Sequence, residues 1–291
     1  MATPSPYTRP APIRCKCVAN RTTKKAVSYN HDGEKIKIES FNVKTVSALS
    51  DGTNIYTSTS LGRFSEFEEG VTHFLKNVTV NTKYGRQNLY FGRTSSKFRA
   101  APLALSDAAE KAAKDILCPP SHPITGEEAD IFSRGDYLSI QGQVEKIQPV
   151  RMTMVQEGRV PILDLRLRCG QKVLEVSLWR DEALTELYVG DEVELTHLKA
   201  LLKENGKGKH NSSTYTSIQI AERKLVTAVV EIVGVSNVED RLTLLSSDFE
   251  EFSVPPDLYH GSLEDLIESL PVKLDITHIH QRVVDISVVN P

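Results

Sequence analysis

The sequence predicts an all-β protein of tandem small barrels, with short helices and a helix-containing linker. Two observations carry this. Apolar and polar residues alternate at period two along much of the 291-residue chain, the pattern of strands with one buried face. In the middle of the chain the order is three strands, a short helix, a strand, a basic loop and a last strand.

Residues 11–99 read as a first, basic barrel. Its strand candidates are Ile13–Ala19, Ile36–Val43, Asn54–Thr59, Thr72–Val80 and Gln87–Ser95. The last two are joined by a tight turn bearing Lys83, Tyr84 and Arg86. Along the final strand Leu89 and Phe91 fall on the core side and Tyr90 on the other; Tyr56 alternates against Ile55 as a further groove candidate. Residues 100–133 are a linker. Ser106 can cap an alanine-rich helix over Asp107–Leu117, which Pro119-Pro120 ends.

Residues 134–224 form the second unit. Gly135–Val144 opens it. Ile162–Arg168 and Lys172–Trp179 are joined by Cys169-Gly170-Gln171-Lys172 and make a hairpin. On the second of these strands Leu174, Val176 and Leu178 share one face. Trp179, the only tryptophan, shares the other with Glu175 and Ser177. Asp164, Arg166 and Arg168 should lie on that same face. The largest apolar side chain thus sits among polar ones. Either a helix or neighbouring domain covers it, or it presents its ring to a flat partner such as a nucleobase. The arginines suit an anionic, base-bearing ligand, or are ordinary solvated cations. A short helix over Arg180–Leu187, the strand Glu192–Leu198, a basic loop Lys199–His210 with Lys203, Lys207 and Lys209, and the strand Thr214–Ile220 complete the unit. Tyr215 is placed at the border of the Trp179 groove. This order is that of an OB-fold, the five-stranded barrel that binds oligonucleotides on its second and third strands and its fourth–fifth loop.

The stretch "LRLRCGQKVLEVSLWRDEA" from Leu165 to Ala183, the Gly190-Asp191 turn and Asn211-Ser212-Ser213-Thr214 resemble the single-stranded-DNA-binding OB domains of the replication protein A large subunit. "FLKNVTVNTKYGRQNLYFGRTS" in the first unit resembles the closing hairpin of such a domain. The resemblance implies a nuclear protein of DNA replication, repair or recombination, or a relative encoded by a mobile element. It implies that Trp179 stacks on a base. A second stacking ring belongs in the fourth–fifth loop, where this chain offers only His210 or Tyr215. The zinc ribbon of that subunit cannot be built here. Nor is there room after the third barrel for its trimer-forming helix.

Residues 225–291 read as a third, acidic barrel. Its strands are Leu225–Val235, Leu242–Leu245, Phe252–Val254, Val272–Ile279 and Arg282–Val289, with a helix over Ser262–Ser269. His278 and His280 share a strand face, but two ligands do not make a metal site.

Net charge is −3, yet residues 1–100 hold 16 Lys+Arg against 7 Asp+Glu, while residues 225–291 hold 3 against 12. The basic end suits a polyanion. The acidic end suits a protein partner, or docks on a basic part of the same chain. No membrane span or signal peptide is visible. The four cysteines lack zinc or disulfide spacing and read as reduced thiols. No phosphate loop, dinucleotide fingerprint, His-Glu-x-x-His or nucleophile elbow appears. The expectation is a non-enzymatic binder of single-stranded DNA or RNA with no cofactor. An OB scaffold that binds only protein is the rival.

Overall fold

The computed structural model describes residues 11–32, 35–62, 66–83, 85–128, 132, 135–155, 158–202, 208–238, 241–255, 258–259 and 261–289. The chain divides into two compact units, Met1–Ser121 with Met152–Pro161, and His122–Arg151 with Ile162–Pro291.

In the first unit seven strands follow one another: β1 (Ile13–Asp32), β2 (Lys35–Ser50), β3 (Ile55–Leu61), β4 (Thr72–Lys76), β5 (Thr79–Lys83), β6 (Arg86–Tyr90) and β7 (Ser96–Arg99). The sheet order is β5-β6-β3-β2-β1-β4-β7. β4 and β5 are two halves of one strand, broken where Asn77 takes a left-handed φ of 57°. Its side-chain amide donates to the Thr94 carbonyl (3.1 Å), and Ser95 Oγ donates to its carbonyl (2.6 Å). β6 and β7 are halves of the next strand. Joined in this way, the strands pair first to second to third, third in parallel to fifth, fifth to fourth, and fourth back to first. That is the Greek-key order of an OB barrel. Its core holds Cys15, Cys17, Leu49, Phe67 and Leu75, all at or near zero exposure.

α1 (Asp107–Leu117) begins at Ser106, whose Oγ accepts from the Ala109 N–H at 3.3 Å. Asp107 and Glu110 lie in its first turn and Lys114 in its last, matching the helix dipole. Ala113 and Leu117 pack on Ala48, and Glu110 pairs with Lys16 at 2.7 Å.

The next sheet contains β8 (Ser121–Ile124), β9 (Tyr137–Ile147), β10 (Arg151–Val155), β11 (Gly158–Cys169), β12 (Lys172–Trp179), β13 (Glu192–Leu202), β14 (Gly208–Asn211) and β15 (Ser217–Ile220), with a 3-10 turn at Arg180–Leu184. β9 pairs with β11, β11 with β12, β12 in parallel with β14, β14 with β13, and β13 with β9. The ring closes in the same order as in the first unit. Leu138, Ile140, Leu167, Leu178, Leu195 and Leu198 fill it.

The last ring is a closed barrel of β16 (Leu225–Val238), β17 (Arg241–Ser246), β18 (Glu251–Val254), β19 (Val272–Ile279) and β20 (Arg282–Val288), in the order β16-β17-β18-β20-β19. α2 (Leu263–Glu268) lies between its third and fourth strands and is capped by Ser262, which accepts from the Glu264 and Asp265 amides. Ile232, Leu244, Phe252 and Ile276 make its core. The all-β architecture of OB-like barrels is therefore present.

Within the second compact unit, Asp191 ties the last two barrels together. It is 1 % exposed. Arg223 grips it with Nε to Oδ1 at 2.9 Å and Nη2 to Oδ2 at 2.8 Å. The Tyr188 amide donates to Oδ2 at 2.7 Å, and His280 Nε2 donates to Oδ1 at 3.2 Å. The Arg223 and Arg282 guanidinium carbons lie 4.3 and 4.8 Å from the Tyr188 ring centroid. Gly190 is required here. Its φ is 97°, and a Cβ would come within 2.7 Å of the His280 ring.

None of the four cysteines is in a disulfide; Cys15, Cys17 and Cys169 are buried and Cys118 is exposed. Burial pushes the Cys15 and Cys17 thiols up to about 12 and Cys169 up to about 11. Among the described residues no helix is long and apolar enough to cross a membrane.

Candidate nucleic-acid interface

The site is built on the β11–β12 hairpin, whose register runs unbroken from Ile162↔Trp179 to Cys169↔Lys172. Leu163, Leu165, Leu167, Val176 and Leu178 face the core. The opposite face carries the cross-strand pairs Ile162/Trp179, Asp164/Ser177 and Arg166/Glu175, followed by Arg168/Val173. Trp179, Arg166 and Arg168 thus share a face, because period-two alternation and a regular register leave no other arrangement.

β14 extends this face. It runs parallel to β12 with Val176↔His210 and Ser177↔Asn211. Asn211 and Lys209 therefore lie beside Ser177, while His210 turns inward with Val176. Trp179 is half-buried. Its backbone N–H donates to Ser212 Oγ at 2.8 Å and its indole Nε1–H donates to Asn211 Oδ1 at 3.1 Å. The ring is fixed in orientation with part of its surface open.

Asp164 is the electrostatic centre of the face. Lys209 Nζ reaches its Oδ1 at 2.7 Å, Arg151 Nη2 its Oδ2 at 2.8 Å, and Ser177 Oγ also donates to Oδ1. Burial alone would raise its carboxyl, but the bonds from Lys209, Ser177 and Arg151 outweigh it and hold the group at about 2. Arg166 lies 4.0 Å from its cross-strand partner Glu175, and Arg168 pairs with Glu145. Lys146, Gln148, Asp164, Arg166, Glu175 and Lys209 line one shallow depression here. The face is a lattice of paired charges around an aromatic edge, rather than a bare cationic strip.

Other expected groove residues fall elsewhere. His210 is 2 % exposed. Its Nδ1–H donates to the Glu175 carbonyl at 3.2 Å and its ring lies 5.7 Å from that of Phe132. Burial lowers its pKa, and Nε2 has no hydrogen-bond partner among the described residues. It is an interior residue, because β14 begins at Gly208 and alternation sends its third residue into the barrel. Tyr215 packs edge-on to Tyr137 (5.3 Å) and lies 6.2 Å from His197. Lys199 Nζ sits 4.2 Å from the Tyr137 ring centroid. This cluster belongs to β9, β13 and the turn after β14. Tyr56 is 6 % exposed and part of the first core. Its hydroxyl donates to Asp51 Oδ2 at 2.8 Å, and burial with that bond raises its pKa to about 12. It is unavailable for stacking, because a satisfied hydroxyl lets the ring go inward.

Tyr90 is 54 % exposed at the end of β6, and Arg86 is exposed at its start. Phe91 is half-buried, 5.7 Å from Phe67. Lys83 ends β5, and its side chain lies outside the described residues, as do Tyr84, Lys203 and Lys207 entirely. Asn211 and Ser212 were not among the expected site residues. The sequence places them at the opening of the last strand with no link to Trp179, whereas β14 brings them beside it. Among the described residues no cluster of three or more His, Cys, Asp or Glu could hold a metal ion.

No family model and no curated protein matches the chain. Solved structures similar to it include a replication protein A heterotrimer bound to single-stranded DNA, with 8 % identity and TM-score 0.39 over 98 % of this chain and 95 % of that one. The p204 HINb domain matches with 12 % identity and TM-score 0.37 over 72 % of this chain and 96 % of that one. The Ifi202 HINa domain in complex with a 20-bp duplex matches with 13 % identity and TM-score 0.30, over 71 % and 98 %. The fold assignment itself stands on the strand topology described above.

Proposed function

We propose that this chain binds single-stranded nucleic acid, DNA in the first instance, without catalysis, and that it serves replication, repair or recombination in the nucleus. The barrels of residues 11–99 and 134–224 are the nucleic-acid-binding domains in this reading. The barrel of residues 225–291 is an acidic, protein-facing one. One observation carries the reading: Trp179 stands half-open on the β11–β12 face, held by Asn211, with Arg166 and Arg168 on the same face. A fixed aromatic ring beside cations is what base stacking with phosphate neutralisation requires. Tyr90, Arg86, Lys83 and Tyr84 would serve the first barrel in the same way, and Lys203 and Lys207 the second.

A second reading is a protein-binding OB scaffold. The specific observation in its favour is that Arg151, Arg166, Arg168 and Lys209 each meet a carboxylate. Phosphates would have to exchange with Asp164, Glu175 and Glu145. Titration of the full chain with labelled oligo(dT) over a salt series separates the two. Single-strand binding should weaken with salt at about −0.7 log units per phosphate neutralised. Absent or salt-independent binding would favour the scaffold.

A further inference from the structure

The ribbon of β1 and β2 has no part in the site above. β4 pairs with β1 only over Ile13–Lys16, and β3 pairs with β2 only over Lys44–Ser50. From Lys24 to Asp32 and from Lys35 to Val43 the two strands pair with each other alone, beyond the sheet. At about 3.3 Å per residue this two-stranded ribbon is roughly 30 Å long. The unpaired residues Val27 and Glu39 are bulges, one on each strand, and bulges increase the right-handed twist.

Register sorts its side chains onto two faces. One carries Lys24, Ala26, Tyr29, Ile38, Phe41 and Val43, with Lys24 Nζ 3.8 Å from the Phe41 ring centroid. The other carries the rows Lys25/Asn42, Ser28/Ser40 and Asn30/Lys37, with Thr23/Lys44 at its base where β3 begins to pair. Ser28 and Ser40 hydroxyls bond at 2.6 Å across it. At its base Arg21 Nη1 donates to the Leu117 carbonyl at 3.2 Å. This second face holds cations separated by small hydroxyl and amide groups, and no aromatic ring. A single strand is held by rings on which bases stack. A duplex, whose bases already stack on one another, offers phosphates flanking a groove that admits a two-stranded β-ribbon.

We propose that this ribbon is a duplex-binding arm. Lys25, Lys37 and Lys44 lie against phosphates bordering one groove, and Ser28, Ser40, Asn30 and Asn42 face base edges. The inference rests on the reading that the chain binds nucleic acid and adds a double-stranded partner to the single-stranded one.

The test uses the full chain with two labelled probes over a salt series: oligo(dT) and a blunt duplex of equal length. The blunt duplex should bind. The triple variant Lys25→Gln, Lys37→Gln, Lys44→Gln should flatten the duplex salt slope by up to about 2.7 log units, at about 0.9 per phosphate. It should leave oligo(dT) affinity and the melting curve unchanged. The corresponding triple Lys→Arg variant should bind duplex like the parent. No duplex binding by the parent, an unchanged duplex slope in the triple variant, or an equal loss of oligo(dT) binding would overturn the arm. Trp179→Ala should act on oligo(dT) alone, so its failure to do so strikes the barrel site and not the ribbon.

Discussion

The indole N–H of Trp179 donates to Oδ1 of Asn211 at 3.1 Å, joining the third strand of the middle barrel to its fifth. Oligo(dT) should therefore quench the intrinsic tryptophan fluorescence of the chain, with a signal that comes from this one position. Trp179→Ala should weaken binding by about 1–3 kcal/mol, the worth of one base stack. Asn211→Ala should cost less, since it frees the ring without removing it. Fluorescence titration of the two folded variants measures both, and an unchanged affinity in Trp179→Ala would take this residue out of the site.

Asp164→Asn should separate stability from affinity. The folded carboxyl titrates at about 2, below its unfolded value near 3.9. Its contribution is thus complete above pH of about 4 and is lost as pH falls towards 2. At neutral pH the substitution should cost about 1–2 kcal/mol, allowing for solvent screening, and it should flatten the acid limb of the stability profile. Affinity for oligo(dT) should rise, because Lys209 and Arg151 lose the carboxylate that competes with phosphate. Urea melts across pH and a binding titration read the two effects; weaker binding would show that Asp164 orients the site.

Asp191→Asn should be the more damaging change. Burial would raise this carboxyl, but Arg223, the Tyr188 amide and His280 lower it below the ordinary aspartate range. Removing the charge leaves Arg223, with its side chain 22 % exposed, without its fork partner. A loss of about 3 kcal/mol follows, at the low end for broken buried pairs. Arg223→Lys keeps the charge but not the two parallel bonds and should fall between. Thermal melting ranks the three proteins, and equal midpoints would refute a structural role for the pair.

A fragment of residues 1–224 should bind oligo(dT) at least as well as the full chain, since it sheds a segment with 12 acidic and 3 basic residues. It should also melt lower, because it loses His280 from Asp191 and Arg282 from the Tyr188 ring. The fragment 225–291 should not bind at moderate salt. If the folded 1–224 fragment fails to bind while the full chain binds, the acidic barrel is part of the site.

Much of this architecture is legible in the sequence because strand alternation is local. The helix at Asp107–Leu117 follows from Ser106, alanine content and the prolines that follow, and the face shared by Trp179, Arg166 and Arg168 follows from hairpin register. The β1–β2 ribbon is not legible. Its bulges at Val27 and Glu39 break the period, and Ser, Thr, Asn and Lys on one side give no hydrophobic signal. Tyr56 reads as a groove residue in the sequence because alternation fixes a face but does not reveal a buried partner such as Asp51 for its hydroxyl. His210 reads as a loop residue because lysines and glycines precede it, whereas β14 begins at Gly208 and takes it inside. The carboxylate partners of the arginines come partly from other strands: Glu175 stands opposite Arg166 in the hairpin, but Glu145 reaches Arg168 from β9, a pairing far apart in sequence.

The cysteines have a practical consequence. Thiolate is the species that maleimides and iodoacetamides attack, and at neutral pH Cys15, Cys17 and Cys169 hold almost none while being shielded from solvent. Cys118, exposed just after α1, is then the single addressable thiol of the native fold. A fluorophore placed there would report on the chain without any engineered cysteine, and the three protected thiols would become reactive only on unfolding. Reaction of a second thiol is therefore a direct clock for opening of the barrels.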